Sequence, residues 1–221
     1  MSVVTMLEAR NTTGIKGMME ITPEFLQQQM DAVFEDIFPD AVKIGMVFSG
    51  SLIEVIADRL RHYKAGNIVL DPVIAVSGRD GQACEEGIAA MKKELLPLAT
   101  VVTPNIPESE ILSGMTVSNF RDMEKAARHI SETYGCAVLI KGGRRAQDAN
   151  DLLYVDGASH WYTGRRIVNP NTYGTGCVLS GGIAANLAKG YNLPASVRRS
   201  KDYLTEALTA MLDLGKGSGP L

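Results

Sequence analysis

Residues 169–190 read N-P-N-T-Y-G-T-G-C-V-L-S-G-G-I-A-A-N-L-A-K-G, and the turn Gly174-Thr175-Gly176-Cys177 stands where a helix is predicted to begin. Glycine allows the backbone to approach an anion closely, and the first N–H groups of a helix have no partner within the helix. The helix dipole adds partial positive charge at the same point. The turn therefore predicts a phosphate site, although the same pattern also fits a turn that only begins a packed helix.

The turn matches neither of two common phosphate-binding fingerprints. It lacks the G-x-x-x-x-G-K-[ST] spacing of the P-loop, and Leu179 occupies the final glycine position of G-x-G-x-x-G. A different set of phosphate-handling residues is therefore expected. Cys177 is a candidate base or nucleophile because the helix dipole favours negative charge there, and its alternative role is that of a small residue packed beneath the turn.

The composition narrows the class of protein. The chain has 221 residues, 45% of them apolar, which suffices for one α/β domain with a sizeable core. A net charge of −3 and the lack of a long basic run argue against a nucleic-acid partner and favour a small-molecule enzyme. The most apolar stretches, such as 41–48, are too short to span a membrane, and residues 1–10 carry no export signal. Three cysteines without a C-x-x-C pair fit reduced thiols, so we expect a cytoplasmic protein.

Short β-rich runs alternate with amphipathic helical patterns through most of the sequence. This order is typical of successive βα units, whose strands form a mostly parallel sheet flanked by helices. No linker, repeat or low-complexity tract divides the sequence, so residues 1–221 are expected to form a single domain. The candidate strands are residues 2–7, 41–44, 67–70, 100–102, 137–140, 151–154 and 160–163, the last two as a hairpin. The candidate helices are residues 23–37, 51–63, 85–96, 119–134 and 194–212, together with the helix after the glycine turn.

Charged residues follow several predicted strands, at the positions where open α/β sheets bind ligands. Asp71 comes after the third strand, and Glu108 lies shortly after the fourth. Both are candidate ligands of Mg²⁺, which prefers oxygen donors and retains waters. Alternatively, Asp71 only forms a turn before proline, and Glu108 only complements a helix dipole. Lys141, followed by Gly142 and Gly143, is a candidate polyphosphate contact or a merely solvated lysine.

A polar segment, residues 144–150, precedes the predicted hairpin. Such segments usually run over the surface, and many of them carry function. We expect a mobile surface loop here, which is either an ordinary connection or a lid over the site.

Together these motifs resemble the ribokinase-like superfamily, and most closely its hydroxymethylpyrimidine/phosphomethylpyrimidine kinases of thiamine biosynthesis. The resemblance extends along almost the whole chain. Cysteine after G-T-G, where the superfamily usually has aspartate, is typical of the pyrimidine kinases. The motifs that carry the resemblance are T-x-x-x-A-x-N-T (5–12), K-I-G-M (43–46), L-D-P-V (70–73), L-L-P-L-A-T-V-V-T-P-N-I-P-E (95–108), K-G-G (141–143), D-L-L-Y (151–154), N-T-x-G-T-G-C (171–177) and the terminal G-K-G-S-G-P (215–220).

The resemblance implies a ribokinase-like three-layer α/β sandwich that uses ATP and Mg²⁺ to phosphorylate a pyrimidine alcohol and then its monophosphate. We also expect a homodimer. Cys177 would accept the proton of the substrate hydroxyl, and the N–H groups of Gly174, Thr175 and Gly176 would stabilise the transferred phosphoryl group. The other implied roles are ATP binding by Thr103, Asn105 and Lys141, Mg²⁺ binding by Asp71 and Glu108, and substrate binding by Arg10, Met46 and Ile74.

Several residues on the substrate side depart from the family pattern. Arg10 stands where glutamine is usual, so a side chain with donors only replaces one that also accepts. Ile74 replaces a methionine, and Tyr173 and Arg144 each replace a histidine. The family also begins with a strand, loop and helix of about 30 residues before the part that matches residue 1 here. The phosphate side is therefore expected to be more intact than the pyrimidine side.

Three functions remain open on this basis. The first is a pyrimidine kinase, with pyridoxine or pyridoxal as alternative acceptors. The second is a catalytically silent relative that binds nucleotide or pyrimidine as a regulatory or structural subunit. Arg10 favours this function, whereas the complete N-x-x-E and G-T-G-C motifs oppose it. The third is a hydrolase with Cys177 as nucleophile, which requires a histidine partner. His62 and His129 lie in predicted helices and His160 in the hairpin, so none is an obvious partner.

Overall fold

The structure of the protein, a computed structural model, describes residues 1–74, 85–142, 149–169, 171–211, 214–217 and 219. Its strands are β1 (Met6–Asn11), β2 (Gly14–Glu20), β3 (Val42–Ile44), β4 (Ile68–Leu70), β5 (Val101–Val102), β6 (Ala137–Ile140), β7 (Asp151–Val155) and β8 (Ala158–Tyr162). Its α-helices are α1 (Pro23–Asp36), α2 (Gly50–His62), α3 (Glu85–Ala90), α4 (Ile106–Ser113), α5 (Phe120–Tyr134), α6 (Thr175–Ala188) and α7 (Leu193–Ala210).

Six strands form the central sheet, in the order β3-β4-β5-β6-β7-β8. The first four run parallel, and β7 and β8 form an antiparallel hairpin on one edge. Every residue of β4 and β6 is buried. Continuous apolar runs of this kind are what a parallel sheet with both faces covered requires.

Two apolar clusters cover the two faces of the sheet. On one face, α1, α2 and α5 contribute Leu26, Leu52 and Ile130. On the other face, α6 and α7 contribute Ile183 and Val197. The predicted α/β fold is confirmed: a mostly parallel sheet forms the middle layer, and helices cover both of its faces.

The first predicted strand is wrong in both place and partner. Residues 2–7 were expected to join the sheet, but β1 begins at Met6 and pairs only with β2, as a separate antiparallel hairpin. The side chain of Asn11 accepts hydrogen bonds from the backbone N–H groups of Thr13 and Gly14 and so closes the turn. Most of β2 is exposed. An exposed strand lacks the buried, alternating apolar pattern by which strands are recognised.

The predicted helix 85–96 is regular only in its first part. Beyond α3, residues Met91–Leu95 form a π-helical turn, and Leu96–Leu98 form a 3₁₀ turn. Pro97 has no backbone N–H to continue an α-helix. Helix α4 was not among the candidate helices, although the alternative role of Glu108 implied a helix start there. It is capped by Gly114, whose φ of 70° suits glycine. Among the described residues, no helix has the length and apolar composition that spanning a membrane requires.

The buried strands predict a large difference between two leucine truncations. Leu139 in β6 is 0% exposed, whereas Leu7 in the outer hairpin is 49% exposed. We expect Leu139→Ala to lower the free energy of unfolding by about 2–5 kcal/mol, because it removes buried methyl groups and leaves a cavity. Leu7→Ala, the control, should change it by less than about 0.5 kcal/mol. Urea denaturation followed by circular dichroism measures both, and equal losses would contradict this description of the core.

Candidate active site

The carboxyl ends of the parallel strands bring three predicted site residues together. The backbone N–H of Asp71 donates to the carbonyl of Ile44 at 2.9 Å, and that of Thr103 donates to Leu70 at 2.9 Å. The N–H of Lys141 donates to the carbonyl of Pro104 at 2.8 Å. Each residue therefore continues the pairing of the strand before it. As a result, all three side chains lie at the carboxyl ends of the parallel strands.

An ion pair joins two of these residues. The ammonium Nζ of Lys141 lies 2.7 Å from Oδ1 of Asp71, and the Thr103 hydroxyl donates to the same oxygen at 3.1 Å. The Ser180 hydroxyl lies 3.4 Å from the other carboxylate oxygen, Oδ2. Asp71 is 2% exposed and Thr103 is 0% exposed. Lys141 is thus held in place by a buried carboxylate rather than being freely solvated, and Thr103 supports that carboxylate from below the surface.

The glycine turn lies against this ion pair. Gly174 has a φ of 92°, a conformation that favours glycine, and α6 begins at the next residue, Thr175. A Cβ atom at Gly176 would lie 3.3 Å from Nζ of Lys141 and 3.4 Å from Oδ2 of Asp71. Glycine at 176 therefore lets the start of the helix approach the ammonium group. Backbone N–H groups, the helix dipole and one cation converge here, as anion binding requires.

Cys177 has a neighbour that sequence reasoning did not single out. Its exposed thiol lies 3.8 Å from Nζ of Lys43, a residue of β3. The Lys43 side chain passes directly over Gly45, where a Cβ atom would collide with the ammonium. The sequence did contain a sign that Lys43 is functional, because this lysine interrupts an otherwise apolar strand that is followed by Gly45. The thiol and two lysine ammonium groups consequently belong to the same site.

Asn105 and Glu108 form a capping box at the start of α4. The Asn105 side chain accepts a hydrogen bond from the N–H of Glu108 at 3.0 Å. In return, the Glu108 carboxylate accepts from the N–H of Asn105 at 2.7 Å. The two side chains therefore stabilise the helix end. The backbone of Asn105 also forms a parallel bridge with Lys141, which places this cap beside the ion pair.

Two of the four residues that depart from the family pattern, Arg10 and Tyr173, contact each other. The Arg10 guanidinium lies 3.6 Å from the centre of the Tyr173 ring, and it pairs with Glu8 at 3.4 Å. Because Tyr173 directly precedes Gly174, this cation–π contact places the outer hairpin beside the anion turn. Met46 is half-buried, and its carbonyl accepts a hydrogen bond from Thr5. Ile74 is 2% exposed and lies within the apolar core.

The C-terminal segment also reaches this region. The N–H of Lys216 donates to the Thr12 hydroxyl, in the turn of the outer hairpin, at 3.1 Å. The N–H of Gly219 donates to the Asn171 side chain at 2.8 Å. Asn171 belongs to the segment that leads into the anion turn. The tail therefore connects the hairpin with the glycine turn.

Comparison with known proteins gives these residues a context. A model of the phosphomethylpyrimidine kinase family matches residues 1–221. The chain belongs to this family. A hydroxymethylpyrimidine/phosphomethylpyrimidine kinase of Bacillus subtilis is 36% identical over 223 residues, covering 100% of this chain and 82% of that protein. The thiamine biosynthesis bifunctional protein of Geobacter sulfurreducens is 41% identical over 221 residues, and this chain spans 45% of its length.

Solved structures show the same fold. The phosphomethylpyrimidine kinase of Clostridium difficile 630 superposes with a TM-score of 0.84 at 36% identity, covering 94% of this chain and 86% of that chain. A pyridoxal kinase of Bacillus subtilis, solved as an ADP complex, gives a TM-score of 0.90 at 30% identity, covering 100% and 84%. The predicted ribokinase-like kinase fold is therefore confirmed.

Membership of the phosphomethylpyrimidine kinase family argues against the third function considered above, a hydrolase with Cys177 as nucleophile. In the described part of the chain, the thiol of Cys177 contacts Lys43. His62 packs edge-on against the Tyr63 ring at the end of α2, and His160 pairs with Leu153 in the β7-β8 hairpin. These contacts place neither histidine at the thiol. Arg144 and most of the predicted loop 144–150 lie outside the described residues.

The two described cysteines should differ sharply in reactivity. Cys177 is exposed, whereas Cys136 is 4% exposed, and its burial raises the pKa of the thiol to about 12. At pH 8 a group with a raised pKa stays protonated, and the thiolate is the nucleophile. Iodoacetamide should therefore modify Cys177 first in the native protein, as peptide mass spectrometry would measure. Labelling in guanidinium chloride, where both thiols should react, is the control. Equal labelling of the native protein would contradict this arrangement.

Proposed function

We propose that this chain transfers the γ-phosphoryl group of ATP to 4-amino-5-hydroxymethyl-2-methylpyrimidine, and then to the resulting monophosphate, in thiamine biosynthesis. The observation that carries the proposal is the Asp71–Lys141 ion pair held against the glycine turn at the start of α6. The names of the related kinases supply the acceptor. A helix N-terminus, a fixed ammonium and a candidate base therefore lie together at this turn.

The proposed chemical roles are those that the family resemblance implies, and the geometry supports them. The N–H groups of Gly174, Thr175 and Gly176 would stabilise negative charge that develops on the transferred phosphoryl group. Lys141 would contact the phosphates of ATP from the edge of the sheet. Cys177 would accept the proton of the attacking hydroxyl. Phosphoryl transfer depends mainly on alignment and charge stabilisation, so a weak base suffices.

Lys43 joins this set as a second cation. Its ammonium lies 3.8 Å from the Cys177 thiol, and Lys43 belongs to β3, which is three strands away from β6 in the sheet. A positive charge next to the base would favour the negative charge that the acceptor oxygen acquires as it loses its proton. It would also attract an acceptor that already carries a phosphate, as the second phosphorylation requires.

Mg²⁺ is proposed to enter with ATP. The available ligands fit this ion, because Asp71 and Glu108 offer buried carboxylate oxygens at the same edge of the sheet. Among the described residues no group of three metal-ligating side chains is found. Mg²⁺ commonly keeps several waters and relies on one or two carboxylates together with phosphate oxygens. When bound, it would neutralise charge on the phosphates. Asn105, which caps the same helix as Glu108, would help to fix that carboxylate.

The acceptor pocket offers a second candidate function. Arg10, with Tyr173 against its face, presents donors only, and it therefore suits a ring with acceptor groups at that edge. The similarity to a pyridoxal kinase at a TM-score of 0.90 makes pyridoxal the natural comparison acceptor. Met46 is proposed to border the ring, and Ile74, which is buried in the core, would support that border from behind. A homodimer, a cytoplasmic location and a single domain remain predictions.

A direct assay tests the proposed reaction. We expect purified protein to convert hydroxymethylpyrimidine and MgATP to the monophosphate and ADP, because the phosphate-handling residues converge. Liquid chromatography with mass spectrometry would detect the products, with pyridoxal as a parallel acceptor. The control is the double variant Cys177→Ala/Glu108→Ala. Turnover no higher than in this control would remove the kinase proposal and leave a silent nucleotide-binding relative.

The close approach at Gly176 predicts a second outcome. Gly176→Ala should lower kcat/KM at least about tenfold, because the new methyl group enters the space between Lys141 and the turn. Gly181→Ala is the matched control, since it lies on the same helix and its new methyl group would meet nothing within 4 Å. Steady-state kinetics at saturating acceptor would compare the two. Equal activity in both variants would show that the turn does not need glycine at 176.

A further inference from the structure

A second buried ion pair lies next to the strand end that carries Lys141. Asp151 begins β7 and Lys201 lies on α7, and each is 7% exposed. The ammonium of Lys201 donates to Oδ2 of Asp151 and, at 2.6 Å, to the carbonyl of Ala149. None of the roles proposed above uses either residue. Because charges are costly to bury, such a pair is weak evidence for stability by itself, and its position must be explained otherwise.

The other oxygen of Asp151 holds the end of β6. Its Oδ1 accepts a hydrogen bond from the backbone N–H of Gly142 at 2.9 Å. Gly142 directly follows Lys141, whose ammonium contacts Asp71. The carboxylate is thus one peptide unit away from the lysine that would contact ATP.

The backbone around Gly142 leaves no room for a side chain at this position. A Cβ atom at Gly142 would collide with the carbonyl oxygen of Asn150. The segment 149–150 is held in turn by Gly164. The N–H of Gly164 donates to the Asn150 side chain at 3.0 Å, and the Gly164 carbonyl accepts from the N–H of Ala149 at 3.2 Å. A Cβ atom at Gly164 would lie 3.0 Å from Cε of Lys201. Three chain segments therefore pack around one carboxylate and one ammonium.

Helix α7 is itself fixed relative to the sheet. The hydroxyl of Tyr162, at the end of β8, donates to the carbonyl of Pro194 at 3.0 Å. Lys201 therefore approaches Asp151 from an element that is anchored to the same hairpin. This gives the carboxylate a defined direction toward Gly142, rather than leaving it free to rotate.

We infer that Asp151 and Lys201 are positioning residues for nucleotide binding: through the Gly142 N–H, they fix the backbone that carries Lys141. The inference rests on the proposed function, in which Lys141 contacts the phosphates of ATP. Lys201 sets the orientation of the carboxylate, and Asp151 holds the strand end. Neither side chain touches the substrate. Because a small displacement of a positioned group can strongly weaken its function, we expect the loss of this anchoring to weaken nucleotide binding.

Two double variants separate the hydrogen bond from the charge. A variant that removes only one partner leaves an unpaired buried charge, so both partners are changed together. Asp151→Asn/Lys201→Met removes the ion pair but keeps an oxygen acceptor for Gly142. Asp151→Leu/Lys201→Met has a side chain of similar size at 151 and removes the acceptor as well. If the leucine variant does not fold, Asp151→Val/Lys201→Met takes its place.

Calorimetric titration with MgADP gives the readout, because it requires no acceptor and no turnover. We expect the asparagine variant to bind within about threefold of wild type and the leucine variant to bind about tenfold more weakly. In the assay with MgATP, KM for ATP should rise in the leucine variant, while KM for the acceptor stays unchanged. Melting temperatures, with all titrations well below them, control for loss of fold.

The outcomes distinguish a failure of the positioning role of Asp151 and Lys201 from a failure of the proposed kinase function. Equal dissociation constants for the two double variants, beside normal binding by wild type, would overturn the positioning role alone. Parallel increases in KM for both substrates would also overturn it, because they indicate a general structural role. A wild-type protein that binds no MgADP would overturn the proposed function, and this inference with it.

Discussion

The site depends on one constraint, which is that a lysine ammonium must be held at the end of a buried strand. Lys141 emerges from β6, whose residues are all buried, and its charge must be matched by a carboxylate at that depth. Asp71 supplies it, with hydrogen bonds from Thr103 and Ser180 completing the surroundings of that carboxylate. The start of α6 can then approach the pair closely, but only because Gly176 has no side chain.

The parallel topology of the sheet explains why a few residues suffice to form the candidate site. Neighbouring parallel strands end at the same edge of the sheet, so Asp71 and Lys141, 70 residues apart, become contacting neighbours. Helix α6 then adds its N-terminus above that edge. In addition, Asp151 and Lys201 hold the backbone just beyond Lys141. The cation thus has support from its carboxylate partner and from the peptide unit that follows it.

The sequence predicted those parts of the site that follow from strand order and local backbone chemistry. The positions of Asp71, Lys141 and Gly176 could be predicted because strand ends and helix starts are visible as apolar runs and glycines. The contact between Lys43 and Cys177, and that between Arg10 and Tyr173, could not, because each joins long side chains from distant elements. The outer hairpin was misplaced for a related reason, since its exposed strands bury too little to leave a pattern.

The tail of the chain has a consequence for the integrity of the site. Lys216 and Gly219 are bound to Thr12 and Asn171, so the last residues connect the first hairpin to the segment before the anion turn. Chain ends are usually where proteases begin, because few contacts hold them. Here, trimming from the C-terminus would remove the contacts that connect the outer hairpin with the segment before the anion turn, while the buried sheet stayed intact. A preparation that has lost its tail could therefore look folded by circular dichroism and still be a poor enzyme.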